Sequence, residues 1–209
     1  MDVTLWLAFV VASTALLMVP GPTILLVMSY ALGQGRRVAV ASAGGVALGD
    51  AVAMTASLAG LGALVLASAT LFTVLKWFGA AYLVWMGIKL WRAAGSAKLG
   101  ETDADRAVAA REVFGHAALV TALNPKSIVF FIAFVPQFLR PDQPLLPQFA
   151  ILIVTFVTLA TLNALAYVLL ADRMRAGLRR PSVLRGLTRA GGGALIVMGA
   201  ATALTRRTA

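Results

Sequence analysis

Leu5 to Leu32, LWLAFVVASTALLMVPGPTILLVMSYAL, holds no charged residue and is interrupted only by Val19-Pro20-Gly21-Pro22. A bilayer core needs about 20 mostly apolar residues per helix, and this run would be about 42 Å long if unbroken. It reads as a retained first membrane span, tilted or broken. It does not read as a secretory leader, because Met1-Asp2-Val3-Thr4 has no basic residue and the run far exceeds a leader's apolar region. Each proline lacks an N–H, which releases the carbonyls of Leu16 and Met18 from their usual helical partners. In hydrocarbon such groups need another partner, so broken backbone is tolerated only against protein or a wet cavity. Pro20, Gly21 and Pro22 are therefore candidate substrate-site residues, set against the plainer reading of a packing kink.

The remainder of the chain repeats the theme. Of 209 residues, 60% are hydrophobic and 12% charged, with a mean hydropathy of +0.89; an ordinary soluble domain carries about 25% charged residues. A soluble globular domain is excluded. Five further apolar stretches follow the first: Val38 to Ala67, Leu71 to Leu90, Ala117 to Leu139, Leu145 to Ala171 and Leu187 to Leu204. The expected fold is an all-α integral membrane protein of six transmembrane helices. It forms a single domain over residues 1–209, with halves 1–91 and 117–209 joined by the hydrophilic segment 92–116, a cytoplasmic linker. There is no cysteine, hence no disulfide framework, Cys-rich zinc site or thiol relay.

The net charge of +10 is spread between apolar runs and not gathered into one patch, so it points to topology and not to nucleic acid. Thirteen Lys and Arg residues, among them Arg36, Arg37, Lys89, Arg92, Arg173 and Arg189, fall on one side of the six-span arrangement. Four, Lys76, Arg140, Arg206 and Arg207, fall on the other. By the positive-inside rule the loops after the first, third and fifth spans are cytoplasmic and both termini lie outside. A five-span arrangement, with the C-terminus inside, is the rival.

Leu75, Gly79, Leu83, Met86 and Gly87 recur at constant offset as Leu187, Gly191, Leu195, Met198 and Gly199. A three-helix duplication would give halves of opposite orientation, an inverted repeat of the kind used by transporters, although Leu, Gly and Met are common enough for coincidence. The Gly-rich faces would serve equally within one subunit or between copies in a homo-oligomer.

The fourth span has its own break at Asn124-Pro125-Lys126, where Pro125 frees the carbonyl of Thr121 and biases Asn124 away from helical geometry. A charge at mid-span costs about 2.5–3.5 kcal/mol on insertion scales, so Lys126 should face the bundle interior; a snorkelling lysine is the plainer reading. In the second span the stripe Ala41, Gly45, Gly49, Ala53 and Ser57 permits close helix contact. Asp50, at its edge, lies roughly 18 Å in from the cytoplasmic end and Lys126 roughly 14 Å in from the same face. The two make a structural ion pair or a proton-coupling carboxylate with a lysine that modulates it or meets a substrate carboxylate. Asn163, one residue from the repeat-equivalent of Asp50, and Tyr167, one turn later, are candidate cavity groups or interhelical glue. His116 reads as an interfacial residue.

Taken in order, Pro20-Gly21-Pro22, the run ending Gly49-Asp50, Leu75-Lys76-Trp77-Phe78-Gly79-Ala80-Ala81-Tyr82-Leu83 with Gly87, and Asn124-Pro125-Lys126 followed by Phe130-Phe131 and Pro136-Gln137-Phe138 resemble the LysE/RhtB family of amino-acid exporters across the whole chain. The resemblance implies a secondary exporter of amino acids or close derivatives in a bacterial inner membrane, driven by the electrochemical gradient and not by ATP. Its partners would be an amino acid, protons and the bilayer. It implies no cofactor, metal or catalytic residue. A zwitterionic cargo would place its carboxylate at Lys126 or a half-helix N-terminus, and its ammonium at Asp50 or the carbonyls freed by Pro20 and Pro22. Competing readings are weaker. An intramembrane aspartyl protease lacks a second Asp well inside a span, one Asp without His or Cys is a poor transition-metal set, and a scaffold subunit gains nothing from buried charge. No Gly-x4-Gly-Lys-[Ser/Thr] phosphate loop occurs.

Overall fold

The structure, a computed structural model, describes residues 1–18, 21–34, 36–67, 69–94, 108–140, 142–178 and 181–204. Among them every regular element is helical: α1 (Val3–Met18), α2 (Pro22–Gly33), α3 (Arg36–Ala67), α4 (Ala69–Ala93), α5 (Ala110–Ala122), α6 (Pro125–Val129), α7 (Leu145–Leu178) and α8 (Pro181–Leu204). After α6 the chain widens into a π-helical turn, Phe130–Phe134, and tightens into a 3₁₀ turn, Val135–Phe138. Helix thus lies on each of the six apolar stretches, with the first and fourth divided as their prolines require. Arg37–Gly60 and Leu145–Leu169 are long and apolar enough to cross a membrane as straight helices. Val3–Met18 with Pro22–Ala31, bent by 58°, and Ala110–Ala122 with Pro125–Phe138, bent by 41°, bring the total to four among the described residues if each pair is one span.

The helix on the fourth apolar stretch begins earlier than its hydropathy suggests. Arg111 and Glu112 make the sequence around Ala110 look like linker, yet α5 starts there, because Val113, Ala117 and Thr121 recur every fourth residue and bury one stripe. That stripe meets the small-residue face of α3. A Cβ on Gly45 would collide with the carbonyl of Phe114, and one on Gly49 would stand 2.5 Å from the carbonyl of Ala118. In lipid, where apolar side chains gain nothing from leaving water, such backbone proximity and dispersion are what hold helices together. The stripe is thus structural, and it fixes the neighbouring Asp50 against α5.

The repeated Gly-rich faces meet each other inside the chain. A Cβ on Gly87 would lie 2.6 Å from the carbonyl of Gly192, and one on Gly199 would lie 2.7 Å from that of Ala80, so α4 packs directly on α8. Gly79 admits the Cβ of Ala133 from the π turn, where the Val135 N–H reaches back five residues to the Phe130 carbonyl.

The core is of two kinds. Toward the N-terminal end of α1 it is aromatic: Phe130 stacks on Phe134 at 5.2 Å, Phe134 meets Phe138 at 5.3 Å, Phe138 meets Phe9 at 5.4 Å, and Phe131 meets Phe156 edge-on at 4.8 Å. Around α2 and α5 it is small and aliphatic, built from Val27, Ala31, Ala39, Ala43, Val46 and Ala117 with Ala164 and Val168 of α7. Between them lie the two helix breaks.

Candidate functional site

α1 stops at Met18 and α2 starts at Pro22, so Leu16, Leu17 and Met18 lose the amide donors that a continuing helix would supply. Three side chains replace them in register. The Lys126 ammonium donates to the Leu16 carbonyl at 3.1 Å, the Asn163 amide to Leu17 at 3.1 Å, and the Tyr167 hydroxyl to Met18 at 3.4 Å. Sequence alone places the first and last carbonyls among the released groups. What it leaves out is that helices α6 and α7 reach across to satisfy them.

The second break is built to aim Lys126. Asn124 adopts extended geometry and caps α6, its side-chain oxygen accepting from the Lys126 N–H at 3.0 Å; Pro125 then occupies the first helical position, where its missing N–H costs nothing. The following Lys126 and Ser127 turn inward, and Lys126 is only 8% exposed. The plainer reading of a snorkelling lysine is set aside, since the ammonium ends on a carbonyl in the protein interior. Gly21 stands on the opposite wall, close enough that a Cβ there would lie 3.3 Å from the Lys126 Nζ. Asn124 also donates to the Thr23 hydroxyl at 3.1 Å, and Thr121 donates to the same oxygen at 3.4 Å. The two breaks are thereby stitched to each other.

Leu16, Leu17, Gly21, Thr23, Ile24, Val46, Asp50, Asn124, Lys126, Ser127 and Ala160 line one small cavity of about 20 Å³. That is room for a water molecule and not for an amino acid. Asp50, 3% exposed, enters the cavity from α3. Asp50 and Lys126 share the cavity, while an ion pair at the protein surface joins Asp2 to Arg140. Electrostatically the cavity has a carboxylate on one wall, an ammonium on another, the carbonyl end of α1 beside it and the amide end of α2 opposite. Such an arrangement offers complementary partners to both ends of a zwitterion.

Of the residues singled out from the sequence, Gly21, Asp50, Asn124 and Lys126 converge on this cavity. Pro22 and Pro125 stand at the first positions of α2 and α6 and shape the breaks without lining the cavity. Asn163 acts one residue away, on the Leu17 carbonyl, and Pro20 lies outside the described residues. Thr23, Thr121 and Ser127 carry only a faint mark in the sequence, a hydroxyl residue within about three positions of each break. His116 lies mid-way along α5, where its Nδ1 bonds to the Tyr30 hydroxyl at 2.8 Å.

Residues 14–206 match the model of the LysE type translocator family. The chain is 39% identical over 201 residues to a homoserine/homoserine lactone efflux protein of Salmonella typhimurium, covering 96% of this chain and 97% of that one. It is 35% identical over 184 residues to an uncharacterized membrane protein of Vibrio cholerae, covering 88% and 89%. It is 32% identical over 134 residues to a leucine efflux protein of Klebsiella pneumoniae, covering 64% and 63%. No solved structure matches. With two proline-broken helices closing on a buried lysine and aspartate, and with a family match over nearly its whole length, the chain belongs to the LysE-type translocators: it is a multi-pass membrane transporter and not an enzyme.

Proposed function

We propose that this protein exports amino acids or close derivatives across the bacterial inner membrane by proton antiport, with access alternating around the cavity between the broken helices. The observation that carries this reading is the convergence of Lys126, Asp50 and the Leu16 carbonyl on one cavity at the helix breaks. The efflux activities named for the Salmonella and Klebsiella relatives support the cargo class. Charge at mid-membrane is costly enough that it marks a pathway or a relay. In the proposed cycle the cargo carboxylate takes Lys126 from the Leu16 carbonyl, and its ammonium turns to Asp50 or to that carbonyl. Asn124 and Asn163 hold the two breaks in shape, while Pro20, Gly21, Pro22 and Pro125 serve as the hinges. Asp50 exchanges a proton against the cargo. Thr23 and Asn124 would suit a hydroxyl on the cargo side chain.

A site of about 20 Å³ is closed to cargo, which fits a transporter that must open to one side at a time. Six spans in two inverted three-helix halves, with both termini outside, give the two openings equivalent geometry. In support, α4 packs on α8, and the close α3–α5 pairing has a counterpart in the packing of α7 on α1 and α2, as exchange of the halves requires.

The test is accumulation of a mixed amino-acid pool, homoserine and leucine included, in inside-out vesicles, read by mass spectrometry against empty vesicles. Accumulation of one or a few amino acids that collapses with a protonophore is expected. A folded, inserted protein that accumulates none would overturn the cargo assignment, and accumulation indifferent to the protonophore would overturn proton coupling.

A further inference from the structure

Among the described residues a single buried side-chain polar atom has no hydrogen-bond partner, the Ser13 hydroxyl oxygen. Ser13 is fully buried in the middle of α1. A helical serine or threonine with nothing else to bond usually turns back to the carbonyl four residues earlier, as Thr161 does to Val157 at 2.7 Å and Thr202 to Met198 at 2.9 Å. Ser13 does not, and a buried hydroxyl left unpaired is unfavourable.

Its position says what the hydroxyl is for. The other buried residues of α1 are Phe9 and Leu16, four before and three after, so the three make one stripe about 10 Å long on a single helix face. Leu16 lines the cavity and offers its carbonyl to Lys126. Phe9 meets Phe138, and through it the aromatic chain of Phe134 and Phe130. Beyond Phe9 the end of α1 is tied down twice, by Trp6 Nε1 donating to the Thr155 hydroxyl at 3.1 Å and by the Asp2–Arg140 pair at 2.9 Å. A closed cavity, a lone hydroxyl, an aromatic plug and a surface ion pair follow one another along one helix.

We propose that this stripe is the release path to the outer face: Ser13 is the hydroxyl that the cargo meets on leaving the Lys126 site, the Phe9–Phe138 contact is the gate, and Asp2–Arg140 is its latch. The proposal rests on the export reading. When the latch parts, the N-terminal end of α1 swings outward, the Phe9 and Phe138 rings separate, and Ser13 gains a polar partner in water or cargo.

The natural absence of cysteine makes the test direct. Ser13→Cys is placed in right-side-out vesicles and challenged with a membrane-impermeant methanethiosulfonate reagent, alone and combined with Arg140→Ala, beside Ser42→Cys, a buried position in α3, as the control. Labelling of Ser13→Cys from outside, about tenfold faster with Arg140→Ala or during turnover and slowed by saturating amino acid, is expected, with the control silent. Labelling from the cytoplasmic side only, or none in either background, overturns the path. Should Ser13→Cys not insert, Ser13→Ala decides: unfolding at or above the native temperature with severalfold slower release is expected, and native turnover refutes the role. A native protein that accumulates no amino acid refutes the export reading. Failed labelling in a protein that does accumulate it refutes this path alone.

Discussion

Replacing Lys126 by Met keeps the buried stem and removes the charge, which isolates what the ammonium does. Two losses follow from the geometry. The Leu16 carbonyl, bonded at 3.1 Å, loses its donor at a cost of about 1–3 kcal/mol. Asp50 also loses its buried cation, and removal of one member of a buried ionic pair costs about 3–5 kcal/mol when contact is direct. Taking the lower end of each range, Lys126→Met should destabilise by about 4 kcal/mol in total. In Asp50→Asn the ammonium keeps the Leu16 carbonyl, so the loss should be about 1–2 kcal/mol. The combined Asp50→Asn, Lys126→Met protein should lose less than the sum, with a coupling of at least about 1 kcal/mol. Denaturant unfolding in detergent micelles, followed by tryptophan fluorescence, measures all four corners of the cycle. Losses that add to within about 0.5 kcal/mol would refute an electrostatic link across the cavity.

Gly87→Leu should unfold the α4–α8 contact and lower stability by about 1–3 kcal/mol without changing the particle size, because the Gly87 surface is filled by Gly192 of the same chain; a shift in cross-linked size at unchanged stability would place that face between copies. Asn163→Ala should cost about 1–3 kcal/mol by stranding the Leu17 carbonyl, and Tyr167→Phe, whose bond is longer and more exposed, less than about 1 kcal/mol, both read by thermal unfolding; the reverse order would mean that the Leu17 carbonyl has another donor. The Asp2 carboxyl is held below the ordinary aspartate range by the Thr4 and Leu5 backbone N–H groups it accepts from, with Arg140 a smaller contributor. A lowered value means that its hold on α1 is complete above about pH 3.9 and is lost as acid carries the pH down through the folded value. Amide exchange at Thr4 and Leu5 should then quicken in acid beyond its intrinsic pH dependence, and Asp2→Asn should remove the extra dependence.

How far the molecule can be read from its sequence depends on whether a feature is local. The breaks are local: proline chemistry at Pro22 and Pro125 dictates them, and the helices end where it requires. The small-residue stripe of α3 is equally plain, since only close packing explains Gly45 and Gly49 one turn apart. The start of α5 is not, because Arg111 and Glu112 dilute the hydropathy while the period-four stripe Val113, Ala117, Thr121 gains meaning only from the α3 surface it covers. The π turn at Phe130–Phe134 has no local marker either; it accompanies the tight seating of Ala133 against Gly79, some fifty residues away. The site divides the same way. Asp50 and Lys126 are conspicuous because charge is rare in a span. Thr23 and Thr121 are silent, because a threonine in a membrane helix usually bonds its own backbone, and only the meeting of the two breaks lets Thr121 and Asn124 share the Thr23 hydroxyl as acceptor.

The central claim is that the Lys126 side of the cavity binds cargo while Asp50 couples it to protons. Purified protein in proteoliposomes separates the two roles, since amino-acid counterflow needs binding and alternating access alone, whereas accumulation driven by an imposed pH gradient also needs the coupling carboxylate. Native protein should do both, Asp50→Asn should retain counterflow and lose gradient-driven accumulation, and Lys126→Met should lose both. An Asp50→Asn protein that accumulates amino acid as the native protein does would contradict the account, as would a Lys126→Met protein with native counterflow.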